Sequence, residues 1–276
     1  PMYENPKWTG TVNRLRIQFD NTDPGATVGI QAIFTQFDTR HNINQANFVR
    51  GCAKYFNWTG DVNFLRANIN RMRTALRYDM TEFQAATQHV ILTPWVGHEG
   101  RSGVVQETEG KKTILPGEGI GNNYWDLLPF GYKDAYATIQ HYDAALRLAE
   151  LERAVRDHPE WDIPRGVLAF DPDELETHAA QVKKTGNKLF WNKTTGRFVA
   201  AVDKDGATYD YGFTFLNLEA IYYGFATDAH AKSIVAWING DRTVAGDTSQ
   251  GADIYHWRFG PRSTTKRNIG YYAFPW

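Results

Sequence analysis

The sequence predicts a mainly α fold built of helical hairpins, with a short extended segment at the N-terminus and a small β-hairpin insertion. Apolar residues recur at helical spacing in most of the chain, as in Phe64, Leu65, Ile69, Met72 and Leu76. Brief turn signals such as Thr59-Gly60-Asp61 separate neighbouring periodic stretches, which places the helices in pairs. Alternation of period two is read in Leu15, Ile17 and Phe19, and turn signals mark a short hairpin near 190–209.

The elements follow in order. Residues 11–41 read as extended, broken by the turn-forming Asn21-Thr22-Asp23-Pro24-Gly25. Asn44 is placed to cap a helix running to about Trp58, and a second helix follows Asp61. Residues 93–130 form a long irregular segment, a length that in compact domains usually serves function. A helix over 133–157 carries Ala137, Ile139, Tyr142, Ala145, Leu146, Ala149 and Leu151, too apolar a surface to be buried on one side only. Another helix spans about 171–188, with Asp171 or Asp173 near its start, and Phe190 to Tyr209 reads as a short hairpin with turns at Thr194-Thr195-Gly196 and Asp205-Gly206. Helices over roughly 213–224 and 228–238 complete the pairs, and the chain returns to loop after Asn239-Gly240. The division expected is an N-terminal extended or linker segment, 1–41, and a helical domain, 42–276.

Composition points to a ligand class. The 276 residues include 9 Trp, 14 Tyr and 16 Phe, more rings than an ordinary core requires, and as a set they suit a groove lined with aromatic plates. A formal net charge of -1 provides no general field for nucleic acid or an anionic membrane, so a neutral polar ligand is expected. No apolar run is long enough for a membrane span. Cys52 is the single cysteine, which excludes an intrachain disulfide and a four-cysteine zinc site and leaves the compartment open.

The stretch Gly119-Ile120-Gly121-Asn122-Asn123-Tyr124-Trp125-Asp126 sets an acid directly after two aromatics. A pyranose presents an apolar face to such rings and a fringe of hydroxyls to carboxamides and carboxylates. Cleaving a glycosidic bond takes one carboxylic acid to protonate the leaving oxygen and a second carboxylate across the ring, about 6.5–9.5 Å away in inverting enzymes. Asp126 is the candidate acid, with Trp125 and Leu127 lowering the polarity around it; its other reading is a helix-capping aspartate. Asp247, in the turn Gly246-Asp247-Thr248, is the candidate base ahead of Asp253, and either also reads as a structural turn residue. Asp38, Arg40 and His41 form a polar cluster suited either to sugar hydroxyls or to bracing a loop. Trp95 lies in the segment before the motif, and His256, Trp257 and Arg258 follow the candidate base, with Trp257 as a stacking plate.

Trp58-Thr59-Gly60-Asp61 with Phe64-Leu65, then Asn123-Tyr124-Trp125-Asp126, then Phe190-Trp191-Asn192 with Thr195-Gly196-Arg197-Phe198, and the late His256-Trp257-Arg258 resemble the six-hairpin glycosidases. The resemblance implies an (α/α)6 toroid whose loops at one end form the sugar site, closest to the glucosidase-like and rhamnosidase-like branches. About seven helices can be read here, fewer than six hairpins supply, and Tyr271 to Trp276 reads as an interior loop. An incomplete toroid is therefore expected, one able to self-associate through an open apolar face.

Other chemistries lack their motifs. There is no zincin helix, P-loop or Gly-x-Ser-x-Gly elbow, Gly117-x-Gly119-x-Gly121 misses the dinucleotide fingerprint, and the eight histidines show no ligand-like clustering in the sequence, so no cofactor or metal is expected. Three readings stand: an inverting glycoside hydrolase, a polysaccharide lyase using Tyr255 or His256 beside Arg258, and a non-catalytic carbohydrate-binding piece.

Overall fold

The computed structural model describes residues 42–92, 132–203 and 206–245, single positions and a turn between 18 and 29, and the backbone of two short strand pairs. The chain divides into the units Pro1–Thr35 and Gln36–Trp276. In the first, the Ala26 N–H reaches the Asp23 carbonyl at 3.0 Å and closes a turn.

The second unit is helical. α1 spans Asn44–Thr59, with Ile43 rather than Asn44 at its cap position. It stops at Gly60, whose φ of 63° is the left-handed conformation that a residue without Cβ adopts at no steric cost, and the Gly60 N–H bonds to the Phe56 carbonyl at 2.8 Å. Asp61 then caps α2 (Val62–Thr81), accepting from the Phe64 N–H at 2.9 Å. The motif Thr59-Gly60-Asp61 is thus the whole turn of the first hairpin, ending one helix and starting the next. α3 is a single turn, Ala85–Gln88, leading to β1 (Ile91–Leu92). The backbone pair β2 (Val105–Thr108) and β3 (Lys111–Ile114) is antiparallel.

β4 (Lys133–Asp134) leads directly into α4 (Ala135–Asp157), which is buried on nearly every side, as its composition predicted. Helix α5 (Pro172–Phe190) starts at Asp171, whose Oδ1 takes the N–H groups of Asp173 and Glu174 at 2.8 and 3.1 Å. The stretch after it holds two small hairpins where one was read: β5 (Trp191–Asn192) with β6 (Arg197–Phe198), and β7 (Ala201–Val202) with β8 (Thr208–Tyr209). α6 (Thr214–Tyr222) and α7 (Asp228–Ile238) form the last pair, and the backbone pair β9 (Gly251–Ala252) and β10 (Arg258–Phe259) follows.

Helix α4 is the hub: it packs against its partner α5 and against α1, and more lightly against α2 and α6. The leading helices of the three hairpins, α1, α4 and α6, thus lie side by side in one row, each with its return helix. A four-stranded antiparallel sheet, in the order β1-β4-β7-β8, gathers the start of this row. The Asn42 amide donates to Asp134 at 2.8 Å, joining the start of α1 to the start of α4, and the Tyr136 and Phe215 rings meet edge to face at 5.2 Å, joining α4 to α6. Buried Leu65, Ile69, Leu148, Val182, Phe198 and Trp237 belong to one continuous core, and Phe83, Ala85, Ile91 and Ala137 form a satellite beside it.

Candidate functional site

Along α4, Tyr136, Gln140, Asp143 and Arg147 recur at spacings of four, three and four, which brings them onto one helical face. That face meets the second turn of α1 and the last turn of α6. Arg50, from the second turn of α1, donates through Nε to Asp143 Oδ2 at 2.7 Å, and Arg147 donates to the other Asp143 oxygen at 3.1 Å. Asp143 is buried between two guanidinium groups. Arg50 Nη1 also donates to Gln140 Oε1 and, at 3.1 Å, to Asn47. This fixes the Gln140 amide, whose oxygen faces the cation and whose Nε2 donates to Glu219 Oε2 on α6. The Tyr136 hydroxyl donates to Glu219 Oε1 at 3.2 Å, and the Arg50 guanidinium lies 4.2 Å over the Tyr223 ring. Burial, then the charge of Glu219, pushes the Tyr136 phenol well above its ordinary range. Burial raises Tyr223 as well, against the pull of Arg50. Both phenols stay protonated at neutral pH.

This belt ties the three helices of the row side by side. Unlike Asp143, Glu219 is only half-buried and meets neutral donors, so it is the carboxylate with room for a ligand.

A second polar cluster sits between α2, α4 and α5. His141 Nδ1 lies 3.1 Å from Asp79 Oδ2, and His141 Nε2 lies 2.9 Å from His178 Nε2, with His89 another 6.0 Å away ring to ring. Asp79 and His141 are fully buried. Burial lowers His141 to a pKa of about 3, and burial with the neighbouring His141 and His89 does the same for His178. Asp79 is pushed well up by burial. Among the described residues no group of three or more His, Cys, Asp or Glu side chains is placed to hold a metal ion. Nor is any described helix long and apolar enough to cross a membrane. Cys52 is buried in α1 and its thiol is raised by burial, a poor setting for a nucleophile.

Of the residues proposed from sequence, Asp38, Arg40, His41, Trp95, Asn123, Tyr124, Trp125, Asp126, Asp247, His256 and Trp257 lie outside the described residues. Arg258 begins β10 and pairs with Ala252 through its backbone. The segment 93–131 is bounded by Leu92 and Tyr132, and Leu92 in β1 is registered against Lys133 in β4. Its two ends are therefore set on adjacent strands, at the start of the row. Sequence reading passed over Arg50, Gln140 and Glu219. The polar stripe at 136, 140, 143 and 147, inside a helix otherwise rich in alanine and leucine, was the signal that pointed to them.

No protein-family model matches this chain, and no curated protein does. Among solved structures it is similar to the GH78 family rhamnosidase of Bacillus sp. GL1, with a TM-score of 0.51 at 13% identity, over 71% of this chain and 17% of that one. The chain thus spans 17% of the length of that rhamnosidase. At this identity the likeness is one of fold alone: the helices of this chain are arranged like those of the matched part of that rhamnosidase.

Proposed function

We propose that this chain carries the helical part of a glycoside hydrolase that cleaves an O-glycosyl bond by inversion, with Asp126 as general acid and Asp247 as base. Asp38, Arg40, His41, Trp95, Asn123, Tyr124, Trp125, His256, Trp257 and Arg258 would bind the sugar, the aromatics through the ring face and the polar groups through hydroxyls. The observation that supports this reading is a row of helices at whose start both ends of the 93–131 segment are held on the paired strands β1 and β4, in a fold like that of a rhamnosidase. Loops on a rigid helical frame are where such folds hold their chemistry.

The mechanism follows from the two carboxyls. The acid protonates the departing oxygen while the base removes a proton from a water attacking the opposite face of the ring, so the product carries the opposite anomeric configuration. Asp126→Asn should lower kcat about 10²- to 10⁴-fold on an alkyl glycoside. The loss should be much smaller on a 2,4-dinitrophenyl glycoside, whose leaving group needs no proton. Undiminished turnover of the alkyl glycoside would remove Asp126 from the mechanism.

A further inference from the structure

We infer that Glu219 is a substrate-binding carboxylate of this site, accepting two neighbouring hydroxyls of a neutral sugar ring; the inference rests on the glycoside hydrolase reading above. A carboxylate has about four lone-pair positions. Tyr136 fills one on Oε1 and Gln140 one on Oε2, which leaves a position on each oxygen and fixes the plane of the group. Two parallel acceptors on one plane match the paired O–H donors of a vicinal diol, as they match the paired N–H donors of a guanidinium.

The surroundings select the charge of the ligand. Arg50, the cation reaching toward Glu219 through Gln140, is already engaged by Asp143 at 2.7 Å, by Gln140 and Asn47, and by the Tyr223 ring. Arg147 is likewise taken by Asp143 and by Glu150, at 3.1 and 2.7 Å. Among the described residues of the belt, both arginines are already paired with carboxylates, so a uronate or sulfated sugar would bring its anion against Glu219 with neither of them left to receive it. Hydroxyl-rich neutral rings meet no such repulsion, so the substrate class is a neutral glycoside with a free vicinal diol.

The test uses the protein with 4-nitrophenyl glycosides of neutral hexoses, 6-deoxyhexoses and hexuronic acids as probes. The wild type should turn over a neutral glycoside and reject the uronides. Glu219→Gln keeps the shape but loses the charge, and should raise KM for that glycoside about 10- to 100-fold, the loss expected when hydrogen bonds to a charged group are weakened. A monodeoxy analogue lacking one hydroxyl of the diol should lose far less in the variant than in the wild type. Tyr136→Phe should give a smaller rise in KM, with the same urea midpoint as Glu219→Gln. An unchanged KM in folded Glu219→Gln, with wild-type hydrolysis intact, overturns the role of Glu219 alone. A wild type that prefers uronides overturns the neutral-substrate assignment, and one that cleaves none of the probes overturns the hydrolase reading with it.

Discussion

Asp79, His141 and His178 form a line of polar atoms through an apolar interior, and burial decides which protons they carry. Each gap in the line holds one proton. With it on His141 at the first gap, His141 Nε2 accepts from His178; with it on Asp79, His141 donates to His178 instead. In both arrangements the imidazoles are neutral, in keeping with their lowered pKa values of about 3 against 6.5 in the open chain. Below about pH 6.5 the unfolded chain therefore takes up protons that the folded one refuses, and stability falls as the pH drops toward 3. Asp134, raised from 3.8 to about 6, works in the opposite sense between those values, because the folded state holds its proton longer, and raised Asp79 does likewise. The variant His178→Gln isolates the imidazole contribution. From pH 7 to 5 the wild type should lose on the order of 1 to 2 kcal/mol more than this variant in urea unfolding, and parallel profiles would count against a neutral His178. None of this could be read from a linear sequence, in which His89, His141 and His178 stand far apart; the helix packing brings them together.

At the scale of the element, close approach explains what propensity does not. Gly186 lies inside α5, where replacing glycine by alanine usually stabilises by about 0.5–1 kcal/mol. Here an added Cβ would stand 2.4 Å from Phe225 Cζ, so the ring or the helix must shift. Gly186→Ala should destabilise by about 1–3 kcal/mol, and combining it with Phe225→Leu should recover part of that loss, both read by thermal unfolding. The helices themselves were legible, because ten or more residues of apolar periodicity and capping residues such as Asp61 and Asp171 repeat the same message. The central sheet was not. Its four strands are two residues each, too short to show alternation, and they exist because distant parts of the chain pair there. The second hairpin near residue 201 was merged with the first for the same reason, although its turn at Asp205-Gly206 was read.

Over the whole molecule, buried ion pairs fasten the helices across hairpins. Arg73 of α2 grips Glu152 of α4 through two bonds of 2.7 Å and reaches the Pro164 carbonyl, while Glu152 also receives the Phe170 N–H at 3.1 Å. Neither side chain is more than 1% exposed. Arg73→Ala strands a buried carboxylate and should cost about 3–5 kcal/mol. Because α2 and α4 share one core, chemical denaturation should remain a single transition in that variant, and a separate early phase would show the first hairpin to be independent. The mainly α architecture was readable at this scale, whereas the belt of Arg50, Gln140 and Glu219 is a product of three helices packing side by side and has no contiguous signature.

The pairing of Leu92 with Lys133 has a consequence for how such a molecule changes over generations. Strands so paired stand roughly 5 Å apart, so the framework presents a fixed socket whatever length of chain is strung between its two contacts. Doubling a flexible insert adds only about 0.6 kcal/mol of closure entropy. An insert between such contacts can thus be lengthened, trimmed or exchanged, while the helices that hold the socket keep their own sequence and their own stability.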